Sequence, residues 1–310
     1  MASLFRLGQL LRGSAGTYTI QKQLHESIWL AKSHSEQTVV IKSVRHFRLD
    51  NERAVLKRFQ ARTSSLRPLI DEIHDPADTP ALVLRHLDDD LRRASASQRL
   101  TKSEIKYVAK SVLEALKLLH EEHYVHTDVK LDNVLVNYGK GEHRFTDVQL
   151  SDLGNTVPDN SPWARDCDMI GAPIWRSPEA MLQIGWGTPT DIWSFGAMLI
   201  ALIYGDDWFI FKPDVPADHE EYELRILMRQ HQFFGPFPAS HGEIANDDVL
   251  AILDYVMDSV PPEKMKPFGR IAEREVSKED KTFLLKIMKL DPRDRPTAKQ
   301  LAEDEWFKGS

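Results

Sequence analysis

Near residue 86 the spacing of apolar residues changes from that of strands to that of helices. Before it lie short runs rich in β-branched and aromatic residues: Thr17-Tyr-Thr-Ile, Ile28-Trp-Leu-Ala, Val39-Val-Ile-Lys42 and Ala81-Leu-Val-Leu84. One helix interrupts them, predicted over Asn51 to Phe59, with Val55, Leu56 and Phe59 on the same face as Glu52. After it, Thr101-Lys-Ser-Glu104 has the form of a capping box. Ile105, Val108, Val112, Leu116 and Leu119 then mark the buried stripe of a long helix. Val134-Leu-Val136 and Val148-Gln-Leu150 flank a turn with Gly139 and Gly141, which predicts a hairpin. From Asp191 onward the patterns are helical. Strands gathered first and helices afterward imply an α+β chain. A small β-rich lobe is expected over about 18–86 and a larger helical lobe over about 87–310, with residues 1–17 as a lead-in.

Composition narrows the function. Of 310 residues, 42% are apolar, which is enough for a sizeable core. A net charge of -7 argues against direct nucleic-acid binding. The single cysteine, Cys167, excludes a disulfide framework or a cysteine-built zinc site within the chain and suits an intracellular, reducing compartment. The longest apolar run, Phe195 to Tyr204, is too short to span a bilayer, so no membrane role is expected. The first 16 residues carry Arg6 and Arg12 and no acid. That composition is compatible with mitochondrial targeting, but a lead-in packed on the first lobe is the expectation.

Six polar residues stand out by their order: Lys42, Glu52, Asp128, Lys130, Asn133 and Asp152. His126-Thr-Asp-Val-Lys-Leu-Asp-Asn133 sets an acid, a base and an amide just ahead of a buried strand. Phosphoryl transfer needs such a set: an acid for the attacking hydroxyl, a lysine for the moving phosphoryl group, and an amide oxygen for magnesium. For any single residue a solvated polar turn is the better explanation; for the octet it is not. Asp152 ends a strand and is followed by Leu153-Gly154, a plausible metal ligand on a bent backbone. Lys42 closes an apolar strand, and Glu52 faces the core from the next helix, a pairing able to hold α- and β-phosphates.

With these motifs in order, the chain resembles the eukaryotic protein kinases across residues 18–307. Val40-Ile-Lys42 is similar to the strand-lysine motif and Glu52 to its helix partner. His126-Thr-Asp128 stands at the catalytic loop, Asp152-Leu-Gly154 at the metal loop, and Ser177-Pro-Glu179 at the end of the activation segment. Asp191 looks like the helix aspartate that braces the catalytic loop, and Arg295 like the arginine that pairs with the Ser-Pro-Glu glutamate. Asp128-x-Lys130 is the serine/threonine pattern. Thr127 and Asn155 look like the SR-protein kinases, and Arg176 and the stretch from Asp218 to Pro238 like the wider CMGC group.

The resemblance implies a bilobal kinase fold using ATP and Mg2+, with protein substrates that are basic or Arg/Ser-rich, and a monomer. It implies Asp128 and Lys130 as catalytic, Asn133 and Asp152 as magnesium ligands, and Lys42 with Glu52 as the nucleotide clamp. Leu24, Ile28, Val40 and Leu135 would sandwich the adenine, with Leu84 guarding the back pocket. The alternative is a pseudokinase that binds nucleotide or scaffolds. A small-molecule kinase is a third possibility, opposed by Ser177-Pro-Glu179, Asp191 and Arg295.

Four departures stand against the pattern. The connection from Lys42 to Glu52 is short, with nine residues between, which would shorten the start of the helix without preventing the ion pair. Leu24-His-Glu-Ser-Ile28 leaves three residues and no glycine where a glycine-rich loop should cover the phosphates. Thr127 replaces the arginine that would pair with an activation-loop phosphate. Ala172 stands where a threonine usually bonds the catalytic aspartate and lysine.

Overall fold

The structure, a computed structural model, describes residues 4–44, 46–141 and 143–308. The chain divides into two compact units: residues 1–90 with 135–156, and residues 91–134 with 157–310.

In the first unit, β1 (Leu10–Gly13), β2 (Thr17–His25), β3 (Ile28–Ser33), β4 (Thr38–Lys42), β5 (Leu69–Asp75) and β6 (Ala81–Arg85) form a closed antiparallel barrel in the order β1-β2-β3-β4-β6-β5. Side chains alternate across each strand with a period of two. Leu11, Tyr18, Ile20, Trp29, Ala31, Val39, Ile41, Ile73, Ala81 and Val83 therefore fill one continuous core, with Phe5 edge-on to Trp29 at 5.0 Å. The other face carries the alternate set: Val40 lies opposite Leu30 and Leu84, and Lys42 opposite Ile28 and Leu82.

The closing strand β1 lies inside the expected lead-in. Leu10-Leu-Arg-Gly is too short and too weakly patterned to announce a strand. Its register is set by pairing Leu11 with Tyr18 and Gly13 with Ile73. The turn after it is tied down by Asp71, which accepts from the Ser14 and Ala15 amides and the Tyr18 hydroxyl at 2.9–3.0 Å. A Cβ on Gly13 would meet the Asp71 carboxylate at 2.2 Å, so only glycine fits.

Helix α1 (Phe47–Phe59) starts four residues before the predicted Asn51. The His46 ring accepts the Arg48 amide and supplies the cap. The helix buries Leu49, Glu52, Val55, Leu56 and Phe59. Beyond the barrel, the short strand β7 (Asp89–Asp90) pairs with Val134–Tyr138, which is followed by the predicted hairpin partner Phe145–Leu150.

The second unit is helical. It begins with α2 (Leu91–Ser97) and α3 (Lys102–Glu121), whose capping box joins Thr101 and Glu104. The helix Thr188–Tyr204 is apolar on all sides and buried from Thr190 to Ile203, as a central core helix must be. Lys278–Ile287 packs on it, Tyr222–Phe234 reaches it through Phe234 against Trp193, and Asp247–Ser259 packs on Tyr222–Phe234, each with one apolar stripe. Among the described residues no helix is long and apolar enough to cross a membrane.

If β1 is a core strand, its two leucines must differ. Leu11 is fully buried and Leu10 is exposed. Leu11→Ala is expected to cost about 2–5 kcal/mol in urea unfolding, and Leu10→Ala about 0.5 kcal/mol or less. Equal costs would show that β1 does not close the barrel.

Candidate active site

The barrel face that carries Val40 and Leu84 ends in Lys42. Its Nζ lies 2.6 Å from Glu52 Oε2 and donates to Asp152 Oδ1 at 2.7 Å. Glu52 is buried at 2% exposure, and the Asp152 side chain is 42% exposed. Burial alone would lower the Lys42 pKa, but the two carboxylates overcome it and leave the ammonium above its ordinary value. The short connection from Lys42 to Glu52 does not prevent the ion pair, because α1 begins early enough to place Glu52 in its second turn.

Asp152 has a left-handed backbone (φ 62°, ψ 61°) and opens a 3-10 turn over Leu153–Asn155. That conformation is uncommon outside glycine, and aspartate is among the residues that tolerate it. The turn is held from α1: Asn51 Nδ2 donates to the carbonyls of Gly154 at 3.1 Å and Thr156 at 2.8 Å. Sequence reasoning missed Asn51. Its only signal is position, one residue before Glu52.

Ile28, Val40 and Leu84 share one barrel face with Lys42. Leu24 is 49% exposed near the end of β2. Leu135 lies on the other sheet, opposite Asp90. Between β2 and β3, His25 pairs directly with Ile28 and only Glu26 and Ser27 turn the chain. The expected absence of a glycine-rich loop is thus a tight two-residue hairpin.

In the second unit, the octet is organised by Asp191 in the first turn of the central helix. Asp191 is 1% exposed. It accepts from the backbone amides of His126 at 2.8 Å and Thr127 at 2.9 Å, and bonds His120 Nε2 at 2.9 Å. These bonds fix Thr127 at φ 70°, a costly conformation for a β-branched residue. The next residue, Asp128, accepts from Lys130 Nζ at 2.6 Å and from Asn133 Nδ2 at 2.9 Å. Both bonds fall on Oδ2. Asn133 Nδ2 also donates to the Asp128 carbonyl at 2.8 Å, which turns the amide oxygen to the opposite side.

The segment from Ile170 to Glu179 is held by fixed polar contacts. Buried Arg176 donates to the carbonyls of Ile170 and Gly171 and pairs with Glu223 at 2.8 Å. Gly171, at φ 67°, lies so close to the Thr127 carbonyl that a Cβ would come within 2.9 Å. Glu179 and Arg295 form two parallel bonds at 2.6 and 2.8 Å with almost no exposure. Arg295 also donates to the carbonyls of Lys289, Pro189 and Leu290, and sits 5.1 Å from the centre of the Trp193 ring.

A buried pair of this kind is far more costly to halve than to keep. Arg295→Met is expected to destabilise the chain by about 3–5 kcal/mol, because Glu179 is left as a buried, uncompensated charge. Arg295→Met with Glu179→Leu should recover a large part of that loss in the same urea titration. A double variant no more stable than Arg295→Met would disprove the coupling.

The protein kinase domain model matches residues 7–307. The serine/threonine-protein kinase STE20 of Kluyveromyces lactis is 26% identical over 208 residues, 67% of this chain and 16% of that protein. The DYRK-family kinase pom1 of Schizosaccharomyces pombe is 28% identical over 217 residues, 66% of this chain and 18% of that protein. The chain thus spans less than a fifth of the length of these curated relatives. A chain from the crystal structure of the yeast RNA Pol II CTD kinase CTDK-1 complex superposes with a TM-score of 0.76 at 18% identity, covering 94% of this chain and 93% of that one. That likeness shows a shared fold. The family match runs over nearly the whole length, and the chain is therefore a member of the protein kinase domain family.

Proposed function

We propose that the chain is a serine/threonine protein kinase that transfers the γ-phosphoryl group of ATP, with magnesium, to hydroxyl side chains of proteins. Members of this family act on protein substrates and generally use ATP and magnesium. The observation that carries the proposal is the state of Asp128. Lys130 and Asn133 both occupy Oδ2, and no described residue donates to Oδ1. One oxygen is thereby held in place and the other left to orient a substrate hydroxyl and take its proton.

Each other residue has a role that its surroundings support. Lys130, within bonding reach of Asp128, meets the transferring phosphoryl group. Lys42, kept charged by Glu52 and Asp152, meets the α- and β-phosphates. Asp152 and Asn133 fit magnesium by chemistry, since each can offer a hard oxygen: a partly exposed carboxylate, and an amide whose nitrogen is already committed to Asp128. The ion, when bound, neutralises charge developing on the phosphates. Ile28, Val40 and Leu84 offer the adenine an apolar face, with Leu24 and Leu135 completing its enclosure.

Within the family, the proposed placement is the CMGC group with SR-protein-kinase features. Arg176 supports it, because the guanidinium clamps the segment from Ile170 to Gly171 onto Glu223 of the helix Tyr222–Phe234. Similarity to the DYRK-family kinase pom1 favours it, and similarity to STE20 at comparable identity does not. Basic or Arg/Ser-rich substrates, action as a monomer and an intracellular location belong to the same proposal.

Two outcomes follow. Asp128→Asn and Lys42→Ala should each lower phosphate transfer to a mixed protein panel by about 10²–10³ or more. Circular dichroism should stay unchanged. Near-wild-type transfer by either purified variant would refute the assignment. Because Thr127 cannot bind a phosphate as an arginine would, and Arg176 and Glu179 already anchor the segment, phosphatase treatment should leave activity within about twofold. A large loss on dephosphorylation would show an activation-loop switch.

A further inference from the structure

Arg67 belongs to none of the roles above, yet it stands at the same site in the first unit. Two contacts fix it. Its backbone amide donates to the Leu150 carbonyl at 2.9 Å, two residues before Asp152. Its side-chain Nε donates to the Arg85 carbonyl at 2.8 Å. Arg85 directly follows Leu84, and its own amide donates to the Pro68 carbonyl. The guanidinium is thus placed at the end of the β6 stretch that offers Leu84 to the base.

The guanidinium has five N–H donors and no acceptor. One is spent on Arg85. No described residue accepts from the two terminal nitrogens, and the residue keeps part of its surface open. Burial pushes its pKa down to about 10, against the pull of Glu52 and Asp152. The terminal nitrogens are not buried without a partner, so they meet water in the free chain, and an acceptor on a ligand can take the place of that water.

A 6-amino purine needs an acceptor beside its amino group. Here the Arg85 carbonyl already accepts one bond from Arg67, and the remaining guanidinium donors stand next to it. We propose that Arg67 determines base selectivity by offering its donors to a purine with a 6-carbonyl group, so that the site takes guanine and hypoxanthine nucleotides as phosphoryl donors alongside ATP. This rests on the nucleotide site proposed above and adds a specificity to it. The competing role is purely structural: Arg67 balances the second carboxylate of the Lys42–Glu52–Asp152 cluster. A structural role would weaken all nucleotides together and leave their ratio unchanged.

The test is calorimetric titration of the full chain with magnesium-ATP and magnesium-ITP, which differ at the 6-position and its neighbouring ring nitrogen, with magnesium-GTP in parallel. Wild type should bind ITP within about tenfold of ATP, and Arg67→Val should shift that ratio toward ATP by about tenfold or more. A wild type that disfavours ITP by more than about a hundredfold overturns the proposal, as does an Arg67→Val chain that binds both with an unchanged ratio. The wild-type ratio alone decides the matter if the variant fails to fold. Failure of wild type to bind any of the three removes the nucleotide site itself, an outcome distinct from an unchanged ratio.

Discussion

The Asp191 carboxylate is the constraint on which the proposed chemistry rests. A charge at 1% exposure survives only where donors fill its lone pairs. Here two backbone amides and a histidine do so, and the first turn of a helix adds a favourable dipole. The exchange works in both directions. The amides stabilise the charge, and the charge holds Thr127 in a conformation that it would otherwise leave. Asp128 is the next residue, so its direction follows from a bond made by its neighbour.

The same economy recurs around the segment ending at Glu179. Arg176 and Arg295 donate there to five backbone carbonyls, those of Ile170, Gly171, Lys289, Pro189 and Leu290, and pair with the carboxylates of Glu223 and Glu179. The guanidinium fork suits both kinds of acceptor, which lysine could not match. The segment's path is therefore written into permanent side chains.

The sequence made parts of this legible for physical reasons. Strands such as Thr38–Lys42 and Ala81–Arg85 carry β-branched and apolar residues dense enough to be read locally. The α3 cap and stripe were equally plain. The Lys42–Glu52–Asp152 cluster was read from residue order, because ion pairs 110 residues apart leave no local trace. β1 and β5 escaped. Leu69-Ile-Asp-Glu-Ile-His-Asp is broken by acids, one of which, Asp71, serves to tie the turn after β1. The start of α1 escaped because a histidine ring is an unusual cap. Asn51 and Arg67 escaped because their partners are backbone carbonyls far along the chain, to which no residue identity points.

The hairpin turned by Glu26 and Ser27 has a kinetic side. A long glycine-rich flap can bend over a nucleotide and lift away; two residues joining strands that pair up to His25 and Ile28 have no such slack. Spent nucleotide would then leave, and fresh nucleotide arrive, without waiting on a backbone rearrangement. The same stiffness forgoes the retention that a flap provides. If nucleotide binds here as proposed, the weaker hold would raise the concentration needed to half-fill the site.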